Sequence, residues 1–290
     1  MGLVLDSTIN KISTAKLKNI EKKLNSDVIF FYGPIQTSVE KTFRDFLERL
    51  KKDNLNRDKL SIILNTPGGS VETVEKMVVI TRHFYKEVDF IVPDYAMSAG
   101  TIFCMSGDRI YMDYSSSLGP IDPQVFNGTR WVPALGYLDK VEEFIEKSKN
   151  NKLTQAEFLM LKEQDLAMLK SYEQARDLSI SLLKDWLVKY KFKNWDKHET
   201  TPNLKGKLVT PEEKKHRAEE VAKLLGNNKL WHSHGRSIGL QTLRDVLKLK
   251  IEDYSGDKSL TLLIREYNDM ICDYLARMNF ANFLHSRNYF

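Results

Sequence analysis

Residues 60–71 read LSIILNTPGGSV, in which an apolar run leads into a turn with two adjacent glycines. The run LSIIL is short and rich in leucine and isoleucine, which favours a buried β-strand. After the turn, Val74, Met77 and Val78 recur at the spacing of one helix face. This stretch therefore predicts a strand, a tight turn and an amphipathic helix in succession.

Apolar runs of the same kind lie on both sides of this unit. VIFFY at 28–32 precedes it, VDFIV at 88–92 follows it, and another run occupies 109–112, while 37–51 has helical spacing. Strands that alternate with helices of this length predict βαβ crossovers and a mostly parallel sheet. Ligand sites of such sheets form beyond the carboxyl ends of the strands, so the turns there are candidates for chemistry.

Composition and charge exclude several classes of protein. The chain has 290 residues, of which 42% are hydrophobic and 29% charged, as in ordinary globular proteins. The net charge of +5 is spread among acidic residues, so we expect no nucleic-acid partner. Two cysteines, Cys104 and Cys272, exclude a disulfide framework and a cysteine-rich zinc module. Because signal-peptide and membrane-span patterns are missing, we expect a cytoplasmic protein without a membrane anchor.

The organisation along the chain predicts three parts. We expect an N-terminal helical segment over 1–26, a catalytic core over 27–205, and a mainly helical C-terminal region over 206–290 that packs back on the core. In the core, Thr154 and Glu157 match a capping box, and a long stretch without glycine or proline follows. This pattern predicts one long helix.

The C-terminal region has its own start and stop signals. Thr210 and Pro211 fit the cap and the first position of a helix, and Gly226 fits its end. Residues 247–251 predict a short strand, and a final helix rich in aromatic residues follows.

Two turns at predicted strand ends carry residues suited to acyl transfer. In the first, the amides of Gly68 and Gly69 can face a cleft at the positive end of a helix and hold an oxyanion or a phosphate. The Gly-Lys-Ser/Thr ending of a Walker phosphate loop is missing. In the second, AMSAGT at 96–101, Ser98 lies between small residues, and the amide of Ala99 can bind an oxyanion. Taken alone, either turn is also an ordinary strand-to-helix connection.

Together with SLGPIDPQ at 117–124, these motifs resemble the Clp-protease/crotonase superfamily, and more narrowly the serine dehydrogenase proteinase family, relatives of signal peptide peptidase A. The resemblance covers about residues 28–125 and returns at HGRSIG, residues 234–239. It implies an α/β fold, the Clp protease/crotonase-like repeated ββα superhelix with a parallel sheet, plus a mainly helical C-terminal region. It also implies a soluble serine endopeptidase that needs no cofactor or metal, acts on peptides or unfolded proteins, and forms a homo-oligomer.

The same resemblance implies roles for individual residues. Ser98 is the nucleophile of an acyl-enzyme mechanism, and the amides of Ala99 and of Gly69 or Gly68 form the oxyanion hole. A serine hydroxyl needs a base to react at neutral pH. The proposed order in the serine dehydrogenase proteinases is serine, aspartate and then a late histidine.

That order maps onto Ser98, Asp122 and His234. The Clp-type subunits instead place a histidine some two dozen residues after the serine, and this chain has none between His83 and His198. Because triads are defined by geometry, the separation of Asp122 and His234 in sequence is no objection.

Two other bases and two other functions stay open. His232 is an alternative to His234, and Lys140 would serve in a serine–lysine dyad like that of signal peptide peptidase A. A lysine base works only when burial lowers its pKa. The other functions are a crotonase-like enzyme acting on acyl thioesters, whose paired amides would hold an enolate, and a catalytically silent oligomeric scaffold.

Overall fold

The chain alternates strands with helices in its first third and is mainly helical after that. The computed structural model describes residues 2–53, 55–129, 131–199 and 202–290. The strands are β1 (Asp27–Tyr32), β2 (Lys59–Asn65), β3 (Glu87–Ile91), β4 (Tyr95–Ala96), β5 (Arg109–Met112), β6 (Ser117–Leu118), β7 (Gln124–Phe126), β8 (Trp131–Pro133), β9 (Ile238–Gly239), β10 (Glu252–Asp253) and β11 (Phe283–Ser286).

Helices connect these strands and dominate the second half of the chain. They are α1 (Gly2–Leu24), α2 (Glu40–Asp53), α3 (Val71–Phe84), α4 (Ala99–Met105), α5 (Ala134–Lys149), α6 (Gln155–Lys162), α7 (Leu166–Trp186), α8 (Pro211–Leu225), α9 (Asn228–Trp231), α10 (Leu240–Asp245) and α11 (Lys258–Met278). Single 3-10 or π turns lie at Thr37–Val39, Leu187–Lys191, Pro202–Leu204 and Tyr254–Gly256. Met1, the first residue of the predicted N-terminal segment, lies outside the described residues. No helix in the described ranges is long and apolar enough to cross a membrane.

The central sheet has, within the described residues, the strand order β10-β5-β3-β2-β1-β11. The first five of these strands are parallel to their neighbours, and β11 pairs antiparallel with β1 at one edge. The mostly parallel sheet predicted from the apolar runs is therefore confirmed. The antiparallel edge strand β11 was not predicted.

Helices cover both faces of this sheet. Along β2, Ile62 and Leu64 pack into the core shared with α2, α3 and α4, whereas Ile63 packs on the opposite side against α1 and α11. This alternation follows from the period of two in a β-strand. Burial on both faces explains why the strands are almost continuously apolar in sequence.

A second, smaller sheet lies beyond the carboxyl ends of the main strands. β4 pairs in parallel with β6, and β6 pairs antiparallel with β9 from the C-terminal region. A parallel bridge between Thr66 and Ala96 joins the end of β2 to this small sheet. The two turns that carry the sequence motifs therefore lie next to each other.

The stretch after Thr154 forms two helices rather than the single long helix predicted, and the second of them, α7, has 21 residues. The capping box at Thr154 and Glu157 is present, but α6 ends at Lys162 and α7 begins at Leu166. The carboxylate of Asp165 accepts hydrogen bonds from the amides of Ala167 and Met168, which caps a new helix. Aspartate favours such a cap over a helix interior because its side chain competes for backbone amides.

The short strand predicted at residues 247–251 is also wrong. Leu247 and Leu249 are buried, but Lys248 between them adopts a φ of 49°. A left-handed residue interrupts an extended run, so pairing with β5 begins only at Glu252. By contrast, the predicted helix from Pro211 to its end near Gly226 is observed as α8.

Candidate active site

The small sheet brings three candidate residues to one edge. Ser98 comes shortly after β4, Asp122 shortly after β6, and His234 shortly before β9. Leu118 of β6 pairs with Ala96 on one side and with Ile238 on the other. Because β9 runs opposite to β6, its amino end meets the carboxyl ends of β4 and β6. Residues far apart in sequence therefore reach the same edge.

Ser98 has a strained backbone at the start of α4. Its φ is 53° and its ψ is −118°, a combination that non-glycine residues rarely adopt. Sharp strand-to-helix turns of this kind expose a nucleophile, and the strain is typical of functional sites. Ser98 is partly exposed, while Ala99 and Gly100 after it are buried. Its hydroxyl makes no side-chain hydrogen bond within the described part of the chain.

The two glycines of the first turn let it contact the second. A Cβ at Gly68 would lie 2.7 Å from the carbonyl oxygen of Met97 and 2.8 Å from Cβ of Ser98. Gly69 has a φ of 149°, and a Cβ there would lie 2.0 Å from the carbonyl oxygen of Ile35. Both positions therefore require glycine, one for close approach to the serine and both for their backbone conformation.

The amides around Ser98 are not equally available. The N–H of Gly68 donates to the hydroxyl of Thr66 at 3.0 Å. The N–H groups of Gly69 and Ala99 have no acceptor among the described residues. Ala99 is the first residue of α4, where an amide has no partner inside the helix. Of the three predicted oxyanion donors, Gly69 and Ala99 are thus free to bind a ligand, and Gly68 is occupied.

Asp122 and His234 form a hydrogen-bonded pair. Nδ1 of His234 lies 2.9 Å from Oδ1 of Asp122. Asp122 is 1% exposed, while the side chain of His234 is 24% exposed. A carboxylate only accepts, so Nδ1 is the donor, and in neutral imidazole Nε2 is then free to take a proton.

The last turn of α8 holds both members of this pair. The amide of Ile121 donates to the carbonyl oxygen of Leu225 at 3.1 Å, which fixes the segment before Asp122. The indole N–H of Trp231 donates to the carbonyl oxygen of Leu224 at 2.7 Å, which fixes the segment before His234. Carbonyls in the last turn of a helix lack the usual intrahelical partner and can accept other donors. The carbonyl of Leu224 also accepts the amide of Asn227 at 3.2 Å. One helix end therefore positions two segments that are distant in sequence.

Thr101 joins the serine turn to the aspartate loop. Its buried hydroxyl accepts the amide N–H of Gly119 at 2.9 Å. The same oxygen lies 2.8 Å from the carbonyl oxygen of Ala96, to which it can donate. The sequence motifs indicate no separate role for Thr101 or Trp231, because their partners are backbone groups that the folded chain brings near. They indicate none for Thr66 either, because its partner is a backbone amide, which any residue at position 68 other than proline would supply.

The alternative bases lie elsewhere. Lys140 is on α5 with its side chain 64% exposed, and its Nζ lies 2.6 Å from Oε2 of Glu143. His232 is exposed and ends α9 with a φ of 62°. Among the described residues, no hydrogen bond links either side chain to Ser98 or Asp122. Ser98 and His234 are also not hydrogen-bonded to each other in the described part of the chain. Hydrogen bonds between a nucleophile and its base are often long before substrate binds.

Comparison with known proteins places the chain in a family. Two uncharacterized proteins of Methanocaldococcus jannaschii are similar to parts of the chain. MJ0137 is 40% identical over 70 residues, 24% of this chain and 24% of that protein. MJ1495 is 33% identical over 86 residues, 29% of this chain and 30% of that protein. The aligned stretches therefore span less than a third of either relative.

Among solved structures, a serine-to-alanine mutant of the 1510-N membrane-bound stomatin-specific protease is 19% identical, with a TM-score of 0.34. That alignment covers 57% of this chain and 77% of the other. The family match covers more than half of the chain, because residues 28–216 fit the ClpP-like SDH-type serine proteinases. This range includes the Gly68-Gly69 turn, the Ser98 turn and Asp122. It confirms the resemblance to the serine dehydrogenase proteinase family. The chain belongs to the family of ClpP-like SDH-type serine proteinases.

Proposed function

We propose that the protein is a serine endopeptidase that hydrolyses peptide bonds through an acyl-enzyme on Ser98. The observation that carries the proposal is the hydrogen bond between Asp122 and His234 at the same sheet edge as the strained Ser98. The amides of Gly69 and Ala99, which have no acceptor within the described ranges, belong to the two turns that meet at the serine. Nucleophile, base, orienting carboxylate and oxyanion donors are the parts that acyl transfer needs.

In the acylation step, Nε2 of His234 takes the hydroxyl proton as Oγ of Ser98 attacks the carbonyl carbon. The negative charge that develops on the carbonyl oxygen is bound by the amides of Gly69 and Ala99. The carbonyl reforms, the peptide C–N bond breaks, and the proton on Nε2 passes to the leaving amine. Asp122 stabilises the imidazolium throughout and keeps the ring in the tautomer with Nε2 facing the serine.

In the deacylation step, water replaces the amine. Nε2 of His234 takes a proton from the water, whose oxygen attacks the acyl carbon. The same two amides bind the second oxyanion. The bond to Oγ of Ser98 then breaks, and the proton returns to that oxygen, which releases the carboxylic acid and restores the enzyme.

We further propose peptides or unfolded proteins as substrates, and a cytoplasmic homo-oligomer as the working form. An apolar surface supports the oligomer. α6 buries none of its described residues, and Phe158, Leu159 and Met160 are each more than half exposed. Contiguous exposed apolar side chains of this kind mark interaction sites.

Labelling with a fluorophosphonate tests the function. We expect covalent labelling of the wild type at Ser98 and none in Ser98→Ala, because the probe reacts only with an activated serine. Ser237→Ala removes an exposed serine near His234 and should label like the wild type. Failure to label the folded wild type would remove the peptidase proposal and leave the thioester-enzyme or scaffold alternatives.

The base is tested by comparing two alanine variants. His234→Ala should lose labelling and peptide hydrolysis, while Lys140→Ala should keep both, because Lys140 is exposed and paired with Glu143. The reverse result would replace the triad by a serine–lysine dyad. Loss of activity in His232→Ala with full activity in His234→Ala would move the base to His232.

A further inference from the structure

Both oxygens of the Asp122 carboxylate have a hydrogen-bond donor. Oδ1 accepts from Nδ1 of His234 at 2.9 Å, and Oδ2 accepts from Nε2 of Gln124 at 2.8 Å. Asp122 is 1% exposed, so water cannot readily replace a missing donor. A buried carboxylate without donors is costly, and hydrogen bonds to a charged group are stronger than those between neutral groups.

A single hydrogen bond would fix one oxygen and leave the carboxylate plane free to turn. The bond from Cβ to the carboxylate carbon has a broad torsional minimum, so the plane is set by the surroundings. With Gln124 on the second oxygen, rotation would break a charge-assisted hydrogen bond. The direction in which Oδ1 points at His234 is therefore fixed from the far side of the carboxylate.

Gln124 is itself held in place. It is the first residue of β7 and lies opposite Pro133 in the hairpin with β8. The carbonyl of Pro123 accepts the amide of Ala134 at 2.9 Å, which anchors the chain between the aspartate and the glutamine. Pro123 also has a restricted φ. In an extended segment, side chains two residues apart lie on the same face, so Gln124 meets Asp122 without rearrangement.

We propose that Gln124 is a positioning residue for the triad. Its amide holds the Asp122 carboxylate in the plane that presents Oδ1 to His234, so that Nε2 of the ring faces Ser98. The inference rests on the proposed function and adds a fourth side chain to it. Gln124 does not act on the substrate or on Ser98; it acts through Asp122 alone.

Inactivation by a fluorophosphonate measures this role, because binding and chemistry separate into KI and kinact. Gln124→Met keeps the side-chain length and removes the donor, and kinact should fall about 10- to 100-fold, as for loss of a hydrogen bond to a charged group. KI should stay within about twofold, since the probe does not touch Gln124. Gln241→Met is the matched control: it removes a hydrogen bond of 2.7 Å to Asp245 on the exposed face of α10, and kinact should not change.

A double-mutant cycle separates positioning from a general structural effect. In an Asp122→Ala background, Gln124→Met should change the residual kinact by less than about twofold, because the residue through which it acts is gone. A fall of equal size in both backgrounds would overturn the inference, and so would a wild-type rate in Gln124→Met. Gln124→Glu keeps the shape of the side chain and replaces the donor by an acceptor, so it tests the same role if the methionine variant does not fold. A wild-type kinact at pH 8 in this variant would also overturn the inference.

Labelling of the wild type and of Gln124→Met also distinguishes this inference from the proposed function on which it rests. Wild type that is not labelled at Ser98 would remove the proposed function and the role of Gln124 together. Wild type that is labelled, with Gln124→Met labelled equally fast, would remove only the role of Gln124.

Discussion

Asp122 and His234 are 112 residues apart in the chain, and their side chains are joined by a hydrogen bond of 2.9 Å. The pairing depends on β9, which returns from the C-terminal region to lie beside β6. Asp122 can therefore orient the histidine only when the C-terminal region is docked on the small sheet. The most direct test of the pair is therefore to replace the carboxylate of Asp122, which accepts the hydrogen bond from His234.

Asp122→Asn should lower kcat for peptide hydrolysis by about 10³-fold or more while the protein stays folded, by analogy with other triads. An asparagine amide can donate to Nδ1, which favours the tautomer with the proton on Nε2 and removes the base. The measurement is steady-state hydrolysis of a peptide library alongside thermal unfolding. Asp139→Asn, which disrupts a surface ion pair with Lys229, is the control and should leave kcat unchanged. Activity within tenfold of wild type in Asp122→Asn would contradict the orienting role.

The main sheet was predictable because each long strand has a local signal. The apolar runs at 28–32 and 60–64 are buried on both faces, so the sequence shows them as continuous hydrophobic segments. β6 and β9 have two residues each, Ser117–Leu118 and Ile238–Gly239, which are too short to show any alternation. The small sheet that assembles the candidate site was therefore not predictable from periodicity.

The candidate residues show the same division. Ser98, Asp122 and His234 were suggested by the resemblance of their motifs, and their roles stay predictions. Thr66 and Trp231 form hydrogen bonds to backbone groups. Such a bond requires no particular residue type in the partner, so the sequence contains no trace of it. Gln124 bonds the side chain of Asp122 two residues before it, but proximity in sequence alone does not show that the two side chains meet.

Gly69→Ala should destabilise the protein strongly and abolish labelling of Ser98. The added Cβ would lie 2.0 Å from the carbonyl oxygen of Ile35, and the φ of 149° is unfavourable for alanine. We expect a loss of about 2–4 kcal/mol in the free energy of unfolding, from overpacking and backbone strain together. Urea denaturation gives the value, and unchanged stability would show that the turn is built differently.

Gly136→Ala is the matched control for that variant. Gly136 lies in the exposed part of α5, and a Cβ there would meet no atom within 4 Å. Alanine should therefore stabilise the protein by about 0.5–1 kcal/mol, because it lowers the conformational entropy of the unfolded chain. Ser98 should label at the wild-type rate.

Thr66→Val should release the amide of Gly68. Valine keeps the methyl group that packs near Gly100 but removes the hydroxyl that accepts the Gly68 N–H. A buried amide without an acceptor costs about 1–3 kcal/mol, so we expect that loss in the free energy of unfolding together with slower labelling of Ser98.

Thr81→Val provides the comparison for Thr66→Val. Thr81 is also buried, but its hydroxyl donates to the carbonyl of Met77 in its own helix, which keeps its helical partner after the change. Its loss of stability should be smaller than that of Thr66→Val, and the labelling rate should not change. Equal effects of the two variants on labelling would show that the Thr66 hydroxyl does not shape the turn.

His285 makes the stability of the protein depend on pH. Burial in β11 lowers the pKa of His285 to about 3, and its neutral ring contacts the hydroxyl of Tyr267 at 2.7 Å. The unfolded chain binds a proton at this residue near pH 6.5, so acid favours the unfolded state throughout the range between about 6.5 and 3. The contribution of the neutral ring is therefore complete above pH 6.5 and declines as the pH falls toward 3.

Denaturation by urea at pH 7 and at pH 4.5 measures this effect. At pH 4.5, two units below the pKa of His285 in the unfolded chain, protonation of the unfolded state corresponds to about 2–3 kcal/mol. The wild type should lose this much of its free energy of unfolding, in addition to any change that it shares with His285→Gln. Glutamine keeps a polar side chain but does not titrate, so the difference between the two proteins isolates the histidine. His216→Gln, at an exposed position on α8, should follow the wild type at both pH values. If His285→Gln lost as much stability as the wild type between the two pH values, protonation of His285 would not contribute to the pH dependence, because glutamine does not titrate.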